Sequence, residues 1–211
     1  CHDQALVGGK TLIFELADKE MYTDMSRGSR NMIIERAVAL HKLARLSTFG
    51  TSDGGYLNFM GNEFGHPEWV DFPREGNNWS YHYSRRQWSL RDNDQLIYYA
   101  LAEFDRDMMK LDNQEMARSF PDPLYLHNDD KVMAFRRGNY FFLLNFHPTR
   151  SLNHYSIPVH VNGKFVLRLD SDHSHYNGFG RLEENQEYFT HPGNPNYIMV
   201  YLPNRCGLVL E

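Results

Sequence analysis

The stretch Phe120-Pro121-Asp122-Pro123 sets two prolines one residue apart, and the spacing of apolar residues changes across it from helical to alternating. No helix runs through such a pair, because each proline lacks an amide donor and pushes the preceding residue out of the helical region. The chain is therefore read as two regions, 1–121 and 122–211, divided at this breaker.

Upstream, Leu12, Ile13, Leu16, Ala17 and Met21 recur at helical spacing and predict an amphipathic helix between Lys10 and Met25. Ser29 or Asn31 is placed to cap a second helix with the stripe Ile33, Ala37, Leu40 and Ala44, ending near Gly50. The short apolar run Tyr56 to Met60, bounded by Gly54-Gly55 and Gly61, reads as a buried strand. Asp92 with Gln95 resembles a capping box for a third helix, whose stripe is Leu96, Ala100, Phe104, Met108 and Leu111. Helix, strand, loop, helix is the grammar of a parallel α/β sheet.

Downstream, Lys131 to Arg136 and Tyr140 to Phe146 flank Gly138-Asn139, while Tyr155 to Val161 and Lys164 to Leu169 flank Asn162-Gly163. Both read as hairpins, because Gly and Asn supply the positive φ that two-residue turns need. With further strands at Tyr197 to Leu202 and Cys206 to Leu210, an antiparallel β-sandwich is the simplest closure. The fold class expected is thus mixed α/β followed by all-β.

Between the Tyr56 strand and Tyr83, the residues Asn62, Glu63, His66, Glu68, Asp71 and Arg74 alternate with Phe64, Trp69, Phe72 and Trp79. Gly, Pro and Asn are too frequent there for a regular element, and long loops of this kind often carry function. Aromatic faces beside hydrogen-bonding side chains suit a carbohydrate, whose rings have an apolar C–H face and a polar rim. The plainer reading is a packed surface loop with aromatic anchors.

Composition excludes several classes. A net charge of −5 and no Lys/Arg cluster offer no field for nucleic acid. The apolar run Tyr197 to Leu202 falls far short of the roughly 20 residues that cross a bilayer. Cys1 and Cys206 stand at opposite ends without metal spacing, which reads as a soluble, reduced, cytoplasmic protein. The start, Cys1-His2-Asp3-Gln4, is neither an initiator nor a signal peptide and reads as a cut from a longer chain. Asp170-Ser171-Asp172-His173-Ser174-His175 lacks the glycine and terminal glutamate of a calcium loop and reads as solvated. No metal and no cofactor is expected.

Three segments together carry a family resemblance: HDQALVG at 2–8, LNFMGNEFGHPEWVDFPR at 57–74 and YHYSRRQ at 81–87. With Phe104-Asp105-Arg106-Asp107-Met108, Asn145-Phe146-His147-Pro148 and Leu169-Asp170-Ser171-Asp172, they closely resemble the 1,4-α-glucan branching enzymes of the α-amylase superfamily. The resemblance implies that region 1–121 is the C-terminal end of a (β/α)8 barrel, entered at the seventh strand, with Tyr56 to Met60 as the eighth. Region 122–211 is then the C-terminal β-sandwich domain. The implied activity is cleavage of an α-1,4-glucan and transfer of the segment to a 6-hydroxyl, through a carboxylate nucleophile and a carboxyl acid/base that both lie upstream of this sequence. The chain alone is accordingly expected to be inactive.

On this resemblance Asp3 is the third carboxylate, which steadies the distorted sugar as positive charge develops, and His2 donates to the same sugar. Glu63 is assigned to the rim of the site, and Trp69 and Trp79 to glucan contacts. The implied partner is α-1,4-glucan, not nucleic acid or membrane, and the oligomeric state is not legible. Two other readings stay open: another hydrolase of the superfamily, and a non-catalytic glucan-binding homologue.

Overall fold

The computed structural model describes residues 9–53, 55–67 and 70–211. Helix α1, Leu12–Ala17, buries Ile13 and Ala17 and gives way to a 3₁₀ turn, Asp18–Tyr22, so the helix expected from Lys10 to Met25 is interrupted. The break sits at Asp18, whose φ of 48° no α-helix accommodates. Helix α2 spans Met32–Thr51, and of the two candidate caps it is Asn31 whose side chain accepts from the Ile33 amide, at 2.9 Å. Its buried face is wider than the predicted stripe: Ile33 is exposed, while Ile34, Val38, His41, Lys42, Leu43, Arg45 and Leu46 are buried. The cause is packing on two sides. Ile34, Ala37 and Val38 join one core with α1, while Leu43, Leu46 and Phe49 join another against the β-sheet.

A short helix α3, Trp88–Asp92, was not predicted, and the helix expected from Asp92 onward begins later, as α4, Ile97–Met109. The capping box does not form, because Asp92 ends α3 and the Gln95 amide instead donates to Asn93 Oδ1 at 3.0 Å. The predicted stripe survives, with Ala100, Phe104 and Met108 fully buried. A short helix α5, Gln114–Ala117, follows, capped by Asn113.

The Tyr56 to Met60 strand is not observed. The segment has no regular structure and ends in a turn at Met60, and among the described residues no strand pairs with it; Leu57 is 82% exposed and Met60 55%. Apolar residues between glycines propose a strand, but neighbouring strands make one by filling its backbone hydrogen bonds.

Eight strands follow: β1 Asp122–His127, β2 Val132–Arg137, β3 Tyr140–Asn145, β4 Leu152–Pro158, β5 Lys164–Asp170, β6 Glu187–Phe189, β7 Tyr197–Leu202 and β8 Cys206–Leu210. They form a six-stranded sheet in the order β1-β2-β3-β8-β5-β6 and a two-stranded sheet β4-β7, with antiparallel pairing throughout. The Gly138-Asn139 hairpin forms as predicted, Arg137 pairing with Tyr140 and Gly138 taking φ 59°. The Asn162-Gly163 hairpin does not. β4 pairs with β7, and β5 with β6 and β8, so this turn carries the chain from one sheet to the other. Ile157 of β4 and Phe165 and Leu167 of β5 meet across the sandwich core rather than side by side.

Strand β3 is buried along its whole length. Phe141 and Leu143 point into the core between the sheets, while Phe142 and Leu144 point into the core shared with α2 and α4. Helix and sheet approach closely: a Cβ on Gly207 would lie 2.7 Å from Leu46, and one on Gly50 2.7 Å from Phe135. Arg137, 5% exposed, closes this junction. Its NH1 donates to the Phe49 and Gly50 carbonyls at 2.9 and 3.2 Å, and its Nε to those of Met116 and Ser119 at 3.2 and 3.3 Å.

Candidate functional site

The loop that follows α2 is shaped by two glycines. Gly61 (φ 101°) and Gly65 (φ 71°) bracket a single 3₁₀ turn, Asn62–Phe64, that places Phe64 in the core and leaves Glu63 half-buried. Glu63 Oε2 accepts from the Gly61 amide at 2.7 Å and from Asn58 Nδ2 at 3.0 Å. Asn58 in turn accepts from Arg45 NH1 at 3.1 Å, and Arg45 is ion-paired to Asp105 of α4 and lies over the Tyr56 ring, 5.5 Å away. Burial raises the Tyr56 hydroxyl to about 12, so it remains a neutral donor. A charged relay therefore runs from α4 through α2 to the Glu63 carboxylate and fixes its rotamer.

Further along, His66 Nδ1 and Arg86 NH1 lie 3.1 Å apart in a buried setting, and Arg86 NH2 donates to the Tyr83 carbonyl at 2.9 Å. Arg86 packs under Gly61, where a Cβ would meet its Cδ at 2.8 Å. Asp71 accepts from Arg74 and Asn77, and their hydrogen bonds, Asn77 first, hold its carboxyl below the usual range. Trp79 sits on the turn beyond, with φ 57° and 66% exposed. The loop thus carries Glu63 facing α2 and Trp79 facing solvent. Asp3, His2 and Trp69 lie outside the described residues.

A cleft of about 420 Å³ opens beside the relay, lined by Lys10, Thr11, His41, Arg45, Tyr56 and Asn58 among others. Burial holds the His41 imidazole neutral, down to about 3, with the nearby Arg45 charge adding to the effect. Its Nδ1 and the Thr11 hydroxyl are buried without a hydrogen-bond partner. His41, Arg45, Asn58 and Asp105 were not predicted. The signal available was His41 and Arg45 one turn apart on the line that Ala37 begins along the buried face of the helix, a place where polar side chains need partners.

The Asp170–His175 segment departs from its reading as solvated. Asp170, Ser171 and Asp172 are 7%, 2% and 5% exposed, folded inward against Arg181, Cys206 and Gly207.

Residues 125–211 match the family model described as alpha amylase, C-terminal all-beta domain, in accord with the two antiparallel sheets. A debranching enzyme of Nostoc punctiforme superimposes with a TM-score of 0.51 at 15% identity, covering 86% of this chain and 33% of that one, a likeness of fold. Sequence similarity goes further than fold. The chain is 50% identical to the 1,4-alpha-glucan-branching enzyme of Rhizophagus irregularis over 100% of its own length and 32% of that protein. It is 48% identical to that of Felis catus (100% and 31%) and 43% identical to that of Solanum tuberosum (100% and 25%). Similarity to 1,4-alpha-glucan-branching enzymes therefore runs through the whole chain, which spans about a third or less of their length. The resemblance drawn from the HDQALVG and GNEFGHPEW motifs is borne out.

Proposed function

We propose that this chain supplies part of an enzyme that cleaves α-1,4-glucan and transfers the cut segment to a 6-hydroxyl, making α-1,6 branches, in the cytoplasm. Residues 1–121 are the closing part of its (β/α)8 catalytic barrel and residues 122–211 its β-sandwich domain. The observation that carries the reading is similarity at 43–50% identity across the whole chain to branching enzymes. The barrel placement draws support from the apolar side chains that residues 56–60 leave uncovered, Leu57 at 82% exposed and Met60 at 55%, which adjoining barrel elements would bury.

In this reading Asp3 binds sugar hydroxyls through charge-assisted hydrogen bonds that tighten as the oxocarbenium character develops, and His2 donates to the same ring. Glu63, held by Gly61 and Asn58, completes the rim. Trp69 and Trp79 offer flat apolar surfaces to glucose units of donor or acceptor. The nucleophile and the acid/base come from residues upstream, and the transfer needs neither metal nor cofactor.

The test is Asp3→Asn in the intact enzyme, assayed by counting new α-1,6 linkages. Loss of a hydrogen bond made chiefly in the transition state lowers kcat by about 10²–10³ or more with the fold unchanged. Near-normal kcat in a folded variant overturns the role of Asp3. An unsubstituted intact protein that hydrolyses glucan without forming branches overturns the reading as a whole.

A further inference from the structure

The chain of contacts that ends at Glu63 is built from groups of unequal freedom. A guanidinium can only donate and an ionised carboxylate can only accept, whereas an amide does either, according to which way it is turned. Arg45, 7% exposed on α2, gives its Nε to Asp105 Oδ1 at 3.0 Å and sets its NH2 on the same oxygen, so its fork is fixed from α4. Its NH1 then donates to Asn58 Oδ1 at 3.1 Å. With that oxygen turned to Arg45, the amide nitrogen of Asn58 is turned the other way and donates to Glu63 Oε2 at 3.0 Å. A flipped Asn58 would set its oxygen against the carboxylate and its NH2 against the guanidinium, replacing two hydrogen bonds by two repulsions.

The far end of the chain has one oxygen tied and one open. Glu63 Oε2 is taken up by Asn58 and by the Gly61 amide at 2.7 Å, and among the described residues Oε1 has no hydrogen-bond partner. Glu63 also lines a cleft of about 420 Å³ together with Trp88, Arg91 and Asp105. The ion pair that starts the chain is sheltered, with the two side chains 7% and 14% exposed, so it is screened far less than a surface pair would be.

We propose that Arg45 and Asp105 are positioning residues for the transfer reaction: by fixing which way the Asn58 amide faces, they hold Glu63 with its second oxygen presented to a glucan hydroxyl. The inference rests on the placement of Glu63 at the rim of the glucan site.

The experiment uses the intact protein and reads kcat/KM for new α-1,6 linkages, each variant being assayed well below its own Tm. Glu63→Gln and Arg45→Met are each expected to lower kcat/KM by about 10- to 100-fold, the scale on which a misplaced contact slows an enzyme, and Asp105→Ala to lower it by a smaller factor. In the Glu63→Gln background neither Arg45→Met nor Asp105→Ala is expected to lower kcat/KM further, although Tm still falls, because nothing is left to position. If Arg45 and Asp105 served only the fold, the losses would multiply instead. Should Arg45→Met give no folded protein, Asn58→Ala interrupts the chain with the ion pair in place, and it is expected to show the same loss, absorbed in the same way by Glu63→Gln. Losses that multiply, or unchanged kcat/KM in the Arg45, Asp105 or Asn58 variants, overturn the proposal while leaving Glu63 at the rim. Unchanged activity in Glu63→Gln overturns the rim placement itself, and the positioning role with it.

Discussion

Replacing Arg137 by Met is the most severe single change that can be worked out from the helix–sheet junction. The guanidinium donates to four main-chain carbonyls, three of those bonds in fully buried settings, and among the described residues no carboxylate is paired with it. Its charge is matched instead by carbonyls at the end of α2, where the helix dipole is negative. Methionine would keep much of the stem, strip the Gly50 carbonyl of its Arg137 partner, and leave the Phe49 carbonyl with only the Ser52 hydroxyl at 3.4 Å and that of Met116 with main-chain amides such as Ser119 at 3.2 Å. A stranded buried acceptor costs about 1–3 kcal/mol, and partial relaxation keeps several from summing fully, so the net loss is roughly 3–5 kcal/mol. For a chain of this size that corresponds to a fall in Tm of about 6–20 °C. Urea titration of the intact protein measures it directly. Arg137→Lys, whose single ammonium cannot span both helix ends, should fall between the two. A loss under about 1 kcal/mol for the Met variant would refute the reasoning, because it would mean that the junction finds its hydrogen bonds elsewhere.

If Trp69 and Trp79 each hold a glucose ring, changing either to Ala weakens glucan binding by roughly 1–3 kcal/mol and leaves Tm nearly unmoved; a fall in Tm with intact binding would make them packing anchors. His41 is held neutral down to about 3, below the ordinary imidazole value of 6.5, so the unfolded chain binds the proton first and stability falls as pH drops from about 6.5 toward 3. This group alone should remove about 3 kcal/mol between pH 7 and pH 4.5, and His41→Leu should flatten that limb of the denaturation profile; an unchanged limb would show that His41 is not the titrating group.

How far the sequence could be read depended on whether the cause of a feature was local. Asn31 caps α2, and the Gly138-Asn139 turn joins β2 to β3, because a cap and a two-residue turn are settled by the residues that form them. The same chemistry at Asn162-Gly163 misled, since which strand β5 adopts as a neighbour depends on how two sheets close over one core. Tyr56 to Met60 failed as a strand for want of a partner, and Asp172 proved buried because its two oxygens are met by Arg181, across a loop whose closure no residue-by-residue pattern announces. At the candidate site, Glu63 was named from its motif alone. Arg45 could be suspected from its place on the helix, but its partners Asn58 and Asp105, 13 and 60 residues away, show no local pattern.

Strand β3, Tyr140–Asn145, reads YFFLLN, a six-residue segment with strong β-propensity, no charge and no proline. In the folded molecule neither of its faces meets water, but a chain still emerging from the ribosome has no such shelter. One neighbour, β2, is made just before it. The other, β8, begins at Cys206, about sixty residues later. For that interval one edge of the stickiest segment in the protein stands open to other nascent copies. Arg136 and Arg137 before it, and Pro148 shortly after, are placed as gatekeepers against stacking of like segments. Synthesis rate and chaperone supply, more than final stability, are then expected to set how much of this protein a cell recovers in usable form.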